Sequence, residues 1–293
     1  MVDPNALVGG GLALLASRDL LTKLLGPTAD YMGGEIKGVV EKCNVNIGDI
    51  FVKAYHKLGG RVEQPGAVNP RVLKNIIEDG KFCEDELSKE YFAGVLASSR
   101  TKDGKDDRGV TNAKLVSNLS SYQIRTHYIF YTLLRRKFLP YGSVIFPGTH
   151  RGAMIIYIPS KAYFTAMEPI LLGSEYSENI NVLAHSMNGL RRNDLIEDKY
   201  TYGSPQHFAN QRITLELQCF IADEKVLCEY GISFQPTPSG MELYLCVHGF
   251  GDLNHFNFLD ADLNLNPVGE VRLPNNVELL YRDILKHFEE AKG

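Results

Sequence analysis

The chain has no Cys-x-x-Cys pair. Its five cysteines, Cys43, Cys83, Cys219, Cys228 and Cys246, are an odd, scattered set, which excludes a disulfide framework or a cysteine-built zinc site and predicts a reducing, cytoplasmic setting. A long apolar run is missing too. A membrane-spanning helix needs about 20 apolar residues, whereas the stretch from Ala6 to Ala16 includes Gly9, Gly10 and Gly11 and gives way to Ser17, Arg18 and Asp19. No basic segment precedes it, so it does not read as a secretory signal. Neither charge dominates: 31 basic residues stand against 35 acidic, a net charge of −4, which argues against a dedicated nucleic-acid binder. The 27 glycines and 13 prolines follow no period, excluding collagen-like and low-complexity chains. There is no Gly-x-Ser-x-Gly elbow, and Gly9-Gly10-Gly11 neither follows a predicted strand nor precedes a Lys-Ser/Thr pair.

What is present is enough for a soluble globular protein, with 44% hydrophobic and 23% charged residues over 293 positions. That length predicts two domains. The class is α+β: an N-terminal helical domain over 1–140, then a mixed domain over 141–293 with an antiparallel meander and a C-terminal helix. Asn69 followed by Pro70 predicts a capped helix over 70–79, ended by a left-handed Gly80. Glu84, Asp85 and Glu86 place negative charge at the start of a second helix running to about Ser99. Thr101 to Gly109 holds six charged residues in nine and predicts an exposed loop. One long helix is expected from Ala113 to Phe138, with Arg135, Arg136 and Lys137 as its solvated end and Pro140 as its stop.

Beyond Pro140, Ser143–Phe146 and Ala153–Ile158 read as strands, and Tyr163–Leu172 and Asn179–Arg192 as helices. Ile213, Leu215, Leu217 and Cys219 alternate with polar residues, and Val226, Cys228, Tyr230, Ile232 and Phe234 repeat that period of two. These predict a hairpin. Met241 to His248 is its expected third strand, and Asn275 to Ala291 a closing helix. Charge is shared unevenly: residues 1–140 carry 20 basic and 16 acidic side chains, hence +4, and 141–293 carry 11 and 19, hence −8. An acidic partner is therefore biased towards the first half.

Local chemistry is sparse. His248, Asp252 and His255 lie within eight residues and form the one cluster suggestive of a metal-dependent hydrolase or nuclease, though their spacing matches no standard zinc pattern. Asp260, Asp262 and Asn264 begin like a calcium loop, but Leu265 stands where glycine is required. Tyr200, Tyr202 and His207 flank a polar aromatic loop, and His185 reads as a core or interface residue. Cys219 and Cys228 read as inward strand residues that a two-residue turn would set opposite each other. No metal and no cofactor is expected.

The segment from Gln64 to Arg100 carries a resemblance. Pro70-Arg71 opens a helix with Leu73 and Ile77 inward, and Asp85-Glu86-Leu87 leads into the small-residue run Tyr91-Phe92-Ala93-Gly94-Val95-Leu96-Ala97-Ser98. Together with Gly26-Pro27-Thr28-Ala29-Asp30-Tyr31 and Gly33, this order of pieces resembles the abortive-infection alpha (Abi-alpha) family, a bacterial domain of unknown function. The resemblance covers about residues 20 to 135, with a weaker echo at Leu183–Leu190. It implies a role in defence against bacteriophage and supplies no catalytic residue.

The function expected from these readings is an anti-phage protein working through protein or membrane-surface contacts, with self-association or a protein partner. Leu14, Leu15, Leu21 and Leu25 are the expected contact residues. Deleting residues 1–25 is expected to leave a folded protein. The alternatives are the metal-dependent hydrolase or nuclease above, and a nucleic-acid module based on Arg135, Arg136 and Lys137.

Overall fold

The computed structural model describes residues 18–27, 45–168, 170–171, 176–208, 229–263, 265, 268, 271–275 and 277–279. The architecture is helix-dominant α+β with two small antiparallel sheets. It divides into two compact units. The first takes residues 1–121, 245–252 and 266–269, and the second 122–244, 253–265 and 270–293. The change of unit expected near Pro140 thus falls at Ser121, and the chain revisits the first unit twice.

In the first unit, α1 (Arg18–Leu25), α2 (Val45–Leu58) and a 3-10 turn (Gly59–Glu63) lead to β1 (Ala67–Val68) and α3 (Pro70–Gly80). Then come α4 (Glu86–Ser98), β2 (Arg100–Thr101) and α5 (Gly109–Asn118). Helix α2 buries Ile47, Ile50, Phe51, Ala54 and Leu58, a helical stripe that packs mainly on α4. Both predicted caps are present. Asn69 accepts from Arg71 N at 3.0 Å with Pro70 behind it, and Asp85 accepts from Ser88 N at 2.8 Å, each satisfying a donor that a helix start would leave orphaned. Gly80 is not the left-handed terminator expected. It is the last residue of α3 with φ outside the positive region, and a Cβ there would sit 2.7 Å from Ile50 Cδ1, so close packing is its role.

Six charges lie between α2 and α4. Lys53 and Lys57 each meet the Glu90 carboxylate at 2.7 Å, and Lys89 meets Glu86 at 2.7 Å and Asp49 at 3.2 Å. Burial opposes the charged form of Lys53, Lys57, Glu86, Lys89 and Glu90. Pairing nevertheless outweighs burial at Glu90, whose pKa is lowered, and at Lys53 and Lys89, whose pKa is raised. At Lys57 burial prevails and the ammonium is pushed down.

The single long helix expected from Ala113 to Phe138 is two. Leu119 is extended, at φ −85° and ψ 134°, between α5 and α6 (Ser121–Phe138).

Helix α6 runs through the second unit, with Ile124, Tyr128, Ile129, Phe130, Tyr131 and Leu134 buried. After it come α7 (Pro147–His150), β3 (Ile156–Pro159), α8 (Ser160–Ala166), α9 (Tyr176–Arg192), β4 (Thr201–Gly203), β5 (Gly231–Phe234), α10 (Pro238–Val247) and β6 (Glu278–Leu279). The sheet order is β4-β5-β3-β6, all neighbours antiparallel, with Ile156 opposite Phe234 and Tyr202 opposite Ile232. Phe234 stacks on Phe130 with centroids 4.2 Å apart, joining sheet to helix.

Several sequence expectations are corrected in this unit. Of Met241–His248, predicted as the third meander strand, Met241–Val247 belongs to α10, with Met241 and every residue from Leu243 to Val247 buried. A helix enclosed on nearly all sides carries no polar stripe, and a short apolar run then mimics a strand. Ser143–Phe146 is a turn rather than a strand, with Val144 N and Ile145 N both bonded to Tyr141 O. The predicted strand Ala153–Ile158 is shifted to Ile156–Pro159, and Glu278–Leu279 is a strand where a helix was expected. The first hairpin strand, with Cys219, and the start of the second, with Cys228, lie outside the described residues.

Arg135 is the sharpest departure. Expected in a solvated triplet, it is 9% exposed, donating to the carbonyls of Phe258 at 3.0 Å, Asp260 at 2.6 Å and Leu263 at 3.3 Å. Arg135→Ala is expected to lower the stability of this unit by about 2–3 kcal/mol, because three carbonyls lose a charged donor at once. Urea unfolding measures it, and a wild-type midpoint would mean that the 258–263 segment holds itself.

Candidate functional site

The first unit contains a groove of about 380 Å³ lined by Leu58, Arg61, Gln64, Pro65, Arg100, Thr101 and Lys102. Its walls follow from local chemistry. Helix α2 ends at the carbonyls of Lys57 and Leu58. Arg61, one turn on, donates to both, from Nη2 to Lys57 O at 3.1 Å and from Nε to Leu58 O at 3.4 Å, a cation at the negative end of a helix. The same Nη2 reaches Gly249 O at 2.8 Å, and the guanidinium lies 5.4 Å from the Phe250 ring centroid.

Arg100 is placed by the β1-β2 pair, which sets Val68 opposite Arg100 and Ala67 opposite Thr101. From there it gathers the carbonyls at the exit of the 3-10 turn, Nη1 bonding Arg61 O at 3.0 Å and Nη2 bonding Val62 O at 3.3 Å and Gln64 O at 2.6 Å. Its Nε is buried without a hydrogen-bond partner. Burial, and then the positive charge of Arg61, lower the Arg100 pKa. Lys102 is exposed at the start of the charged loop.

Both arginines are held by neutral carbonyls, so their charge remains uncompensated. Nearby carboxylates are already taken: Glu63 by Lys23 at 3.0 Å, Asp103 by Lys105 at 3.9 Å, Asp106 by Arg108 at 2.6 Å and Asp107 by Arg71 at 2.6 Å. Among the described residues no carboxylate pairs with Arg61, Arg100 or Lys102. The arrangement attracts anions. It offers no carboxylate, imidazole or thiol to move a proton or attack a substrate, and Thr101 Oγ1 accepts from Gly104 N at 3.2 Å.

The expected contact residues are divided. Leu25 is fully buried with Leu24, and Leu20 is nearly so, which corrects its assignment to a partner surface: α1 spends that face on the first unit's core, packing on α2, β1 and the 3-10 turn. Gly26 tightens this docking with a left-handed φ of 59° and an approach to Gly66 that leaves no room for a Cβ. Leu21 keeps part of its surface, and Leu14 and Leu15 lie outside the described residues. Deleting residues 1–25 therefore removes core, contrary to expectation.

The His248, Asp252 and His255 cluster is not assembled as a metal site. His248 is 7% exposed, Asp252 faces solvent, and His255 Nδ1 lies 2.9 Å from Glu242 Oε1. Among the described residues, no three His, Cys, Asp or Glu side chains form a metal-holding group. Asp260 Oδ1 accepts from Asp262 N at 3.0 Å, a local turn. The thiols are muted: burial pushes Cys83 and Cys246 up to about 11, with Asp85 adding to the rise at Cys83, so both are protonated at neutral pH. Tyr200 and Tyr202 stack at 6.3 Å, and Tyr200 bonds Asn188 at 2.8 Å. His185 is exposed, with Nε2 3.2 Å from Gln123 Nε2, rather than a core residue.

Sequence reasoning missed Arg61, Arg100 and Lys102. The available signal was the +4 balance of the first half. No family model, curated protein or solved structure matches the chain. No helix among the described residues is long and apolar enough to cross a membrane.

Proposed function

We propose that the protein is a non-catalytic component of bacterial anti-phage defence, of the abortive-infection alpha kind, acting in the cytoplasm by engaging an anionic partner through the first unit. One observation carries the binding part of this reading: a groove lined by Arg61, Arg100 and Lys102 that has unbalanced positive charge and no carboxylate, imidazole or thiol in its lining. The muted thiols of Cys83 and Cys246 support it, as does the dispersal of the histidines. The defence setting rests on the resemblance of the segment from Gln64 to Arg100.

Lys102 is the residue to change, since it is exposed and makes no ion pair among the described residues. In a host expressing the chain and challenged with phage, wild type is expected to reduce plaque formation. Lys102→Glu is expected to lose most of that protection at unchanged soluble yield, because one reversed charge weakens an anionic contact by about tenfold or more. Protection by Lys102→Glu equal to wild type removes the groove from the function. An absence of protection by wild type against a broad phage panel overturns the defence reading.

A further inference from the structure

We infer that the groove bounded by Leu58, Arg61, Pro65, Arg100 and Lys102 is a receptor site for a small organic phosphate, a dianionic phosphomonoester carried on an apolar or planar body. This rests on the binding reading above and names its ligand class.

Charge comes first. Three cations line the groove, and each neighbouring carboxylate of the 102–108 loop, together with Glu63, has its own lysine or arginine. A single carboxylate would leave most of this charge standing. A phosphate dianion offsets two of the three charges at one point and is the usual counterpart of arginine.

Order comes second. Arg61 and Arg100 are tied to backbone carbonyls through five bonds of 2.6 to 3.3 Å, with a sixth at 3.4 Å. Two of the three charges are therefore fixed before any ligand arrives, and little side-chain freedom is lost on binding. Those bonds also consume most guanidinium donors, so the arginines act as a fixed positive wall. The ammonium of Lys102, free to swing, supplies the direct contact.

Size comes third. About 380 Å³ exceeds what a bare phosphate fills and falls in the range of small-molecule sites, roughly 300–1,000 Å³. Leu58 and Pro65 give the remaining space an apolar side, suited to the body that carries the phosphate. A nucleic-acid backbone needs a basic track, whereas this charge is gathered at one groove while the carboxylates of the rest of the loop are paired, Asp107 with Arg71 of α3.

The test uses the full chain in calorimetric titration against adenosine monophosphate, ribose 5-phosphate, inorganic phosphate and acetate. Saturable binding of at least one organic phosphate is expected, tighter than inorganic phosphate, with acetate silent. Lys102→Glu should weaken it about tenfold, while Lys114→Glu, an equal charge change on the exposed face of α5, should leave it unaltered. Unchanged unfolding temperatures without ligand separate a lost contact from a lost fold. No saturable binding at millimolar ligand overturns the inference, as does equal weakening by both substitutions. Inorganic phosphate binding as tightly as the organic forms overturns the apolar-body part. If no phosphate binds and Lys102→Glu still abolishes phage protection, the inference falls while the anionic-partner reading stands, with an acidic protein surface as the occupant.

Discussion

Gly94→Ala is expected to destabilise the first unit by about 3 kcal/mol net, against the direction that helix propensity alone predicts. Propensity favours alanine over glycine in a helix interior by about 1 kcal/mol. Packing decides the outcome here. A Cβ at position 94 of α4 would lie 2.5 Å from Val247 C, and closer still to its Cα and O. These are backbone atoms at the end of α10, so no flexible side-chain tip can swing aside, and the helix contact itself must open. For a unit of this size the loss corresponds to an unfolding temperature roughly 10 °C lower. Gly60→Ala is the control, since a Cβ there meets nothing within 4 Å and φ is not left-handed. If calorimetry gives Gly94→Ala the stability of Gly60→Ala, the approach of α4 to Val247 is looser than described.

Glu90→Gln is expected to cost about 3 kcal/mol as well, by a different route. The side chain keeps its shape and loses its charge. Lys57, with its side chain 12% exposed, then has no carboxylate left at 2.7 Å, whereas Lys53 keeps Glu86 at 3.5 Å. The substituted protein relieves the stranded Lys57 charge by releasing its proton, so its deficit relative to wild type should shrink as pH is raised in the alkaline range. In the wild type, the lowered Glu90 pKa gives stability that is present above the unfolded value of 4.5 and disappears as pH falls through the folded value. The lowered Lys57 pKa adds stability with rising pH up to its unfolded value of 10.5. The Glu90 term makes the first unit acid-sensitive, whereas the Lys57 term acts in the alkaline range below 10.5. Urea midpoints across pH test this, and a Glu90→Gln deficit that stays constant with pH contradicts it.

The parts of the fold that were legible in the sequence are those written in neighbouring residues. Asn69-Pro70 and Asp85 announce two helix starts because a cap is a contact across two or three positions. The exposed 102–108 segment is equally local. Met241–Val247 failed because burial on nearly every side removes the polar stripe by which a helix is recognised. Arg135 failed because its three carbonyl partners lie more than 120 residues away, so in sequence it is indistinguishable from a wetted basic end. The groove was invisible for the same reason. Arg61 and Arg100 are 39 positions apart, and what distinguishes them is that the surrounding acids have chosen other partners, a property of three-dimensional pairing. Only their aggregate trace, the surplus of basic residues before Pro140, could be counted.

The return of Leu245–Asp252 to the first unit bears on how that unit can be prepared alone. A fragment ending at Ser121 would omit Val247, on which Gly94 closes, Cys246, whose carbonyl receives Ser98 Oγ at 2.9 Å, and Gly249 and Phe250, which hold the Arg61 guanidinium. Such a truncation would expose an apolar scar on α4 and strip the Arg61 guanidinium of its Gly249 and Phe250 contacts. Cloning boundaries drawn from chain order alone would therefore yield an insoluble or slack product, and a faithful excision has to splice the 245–252 peptide back by a linker or supply it in trans.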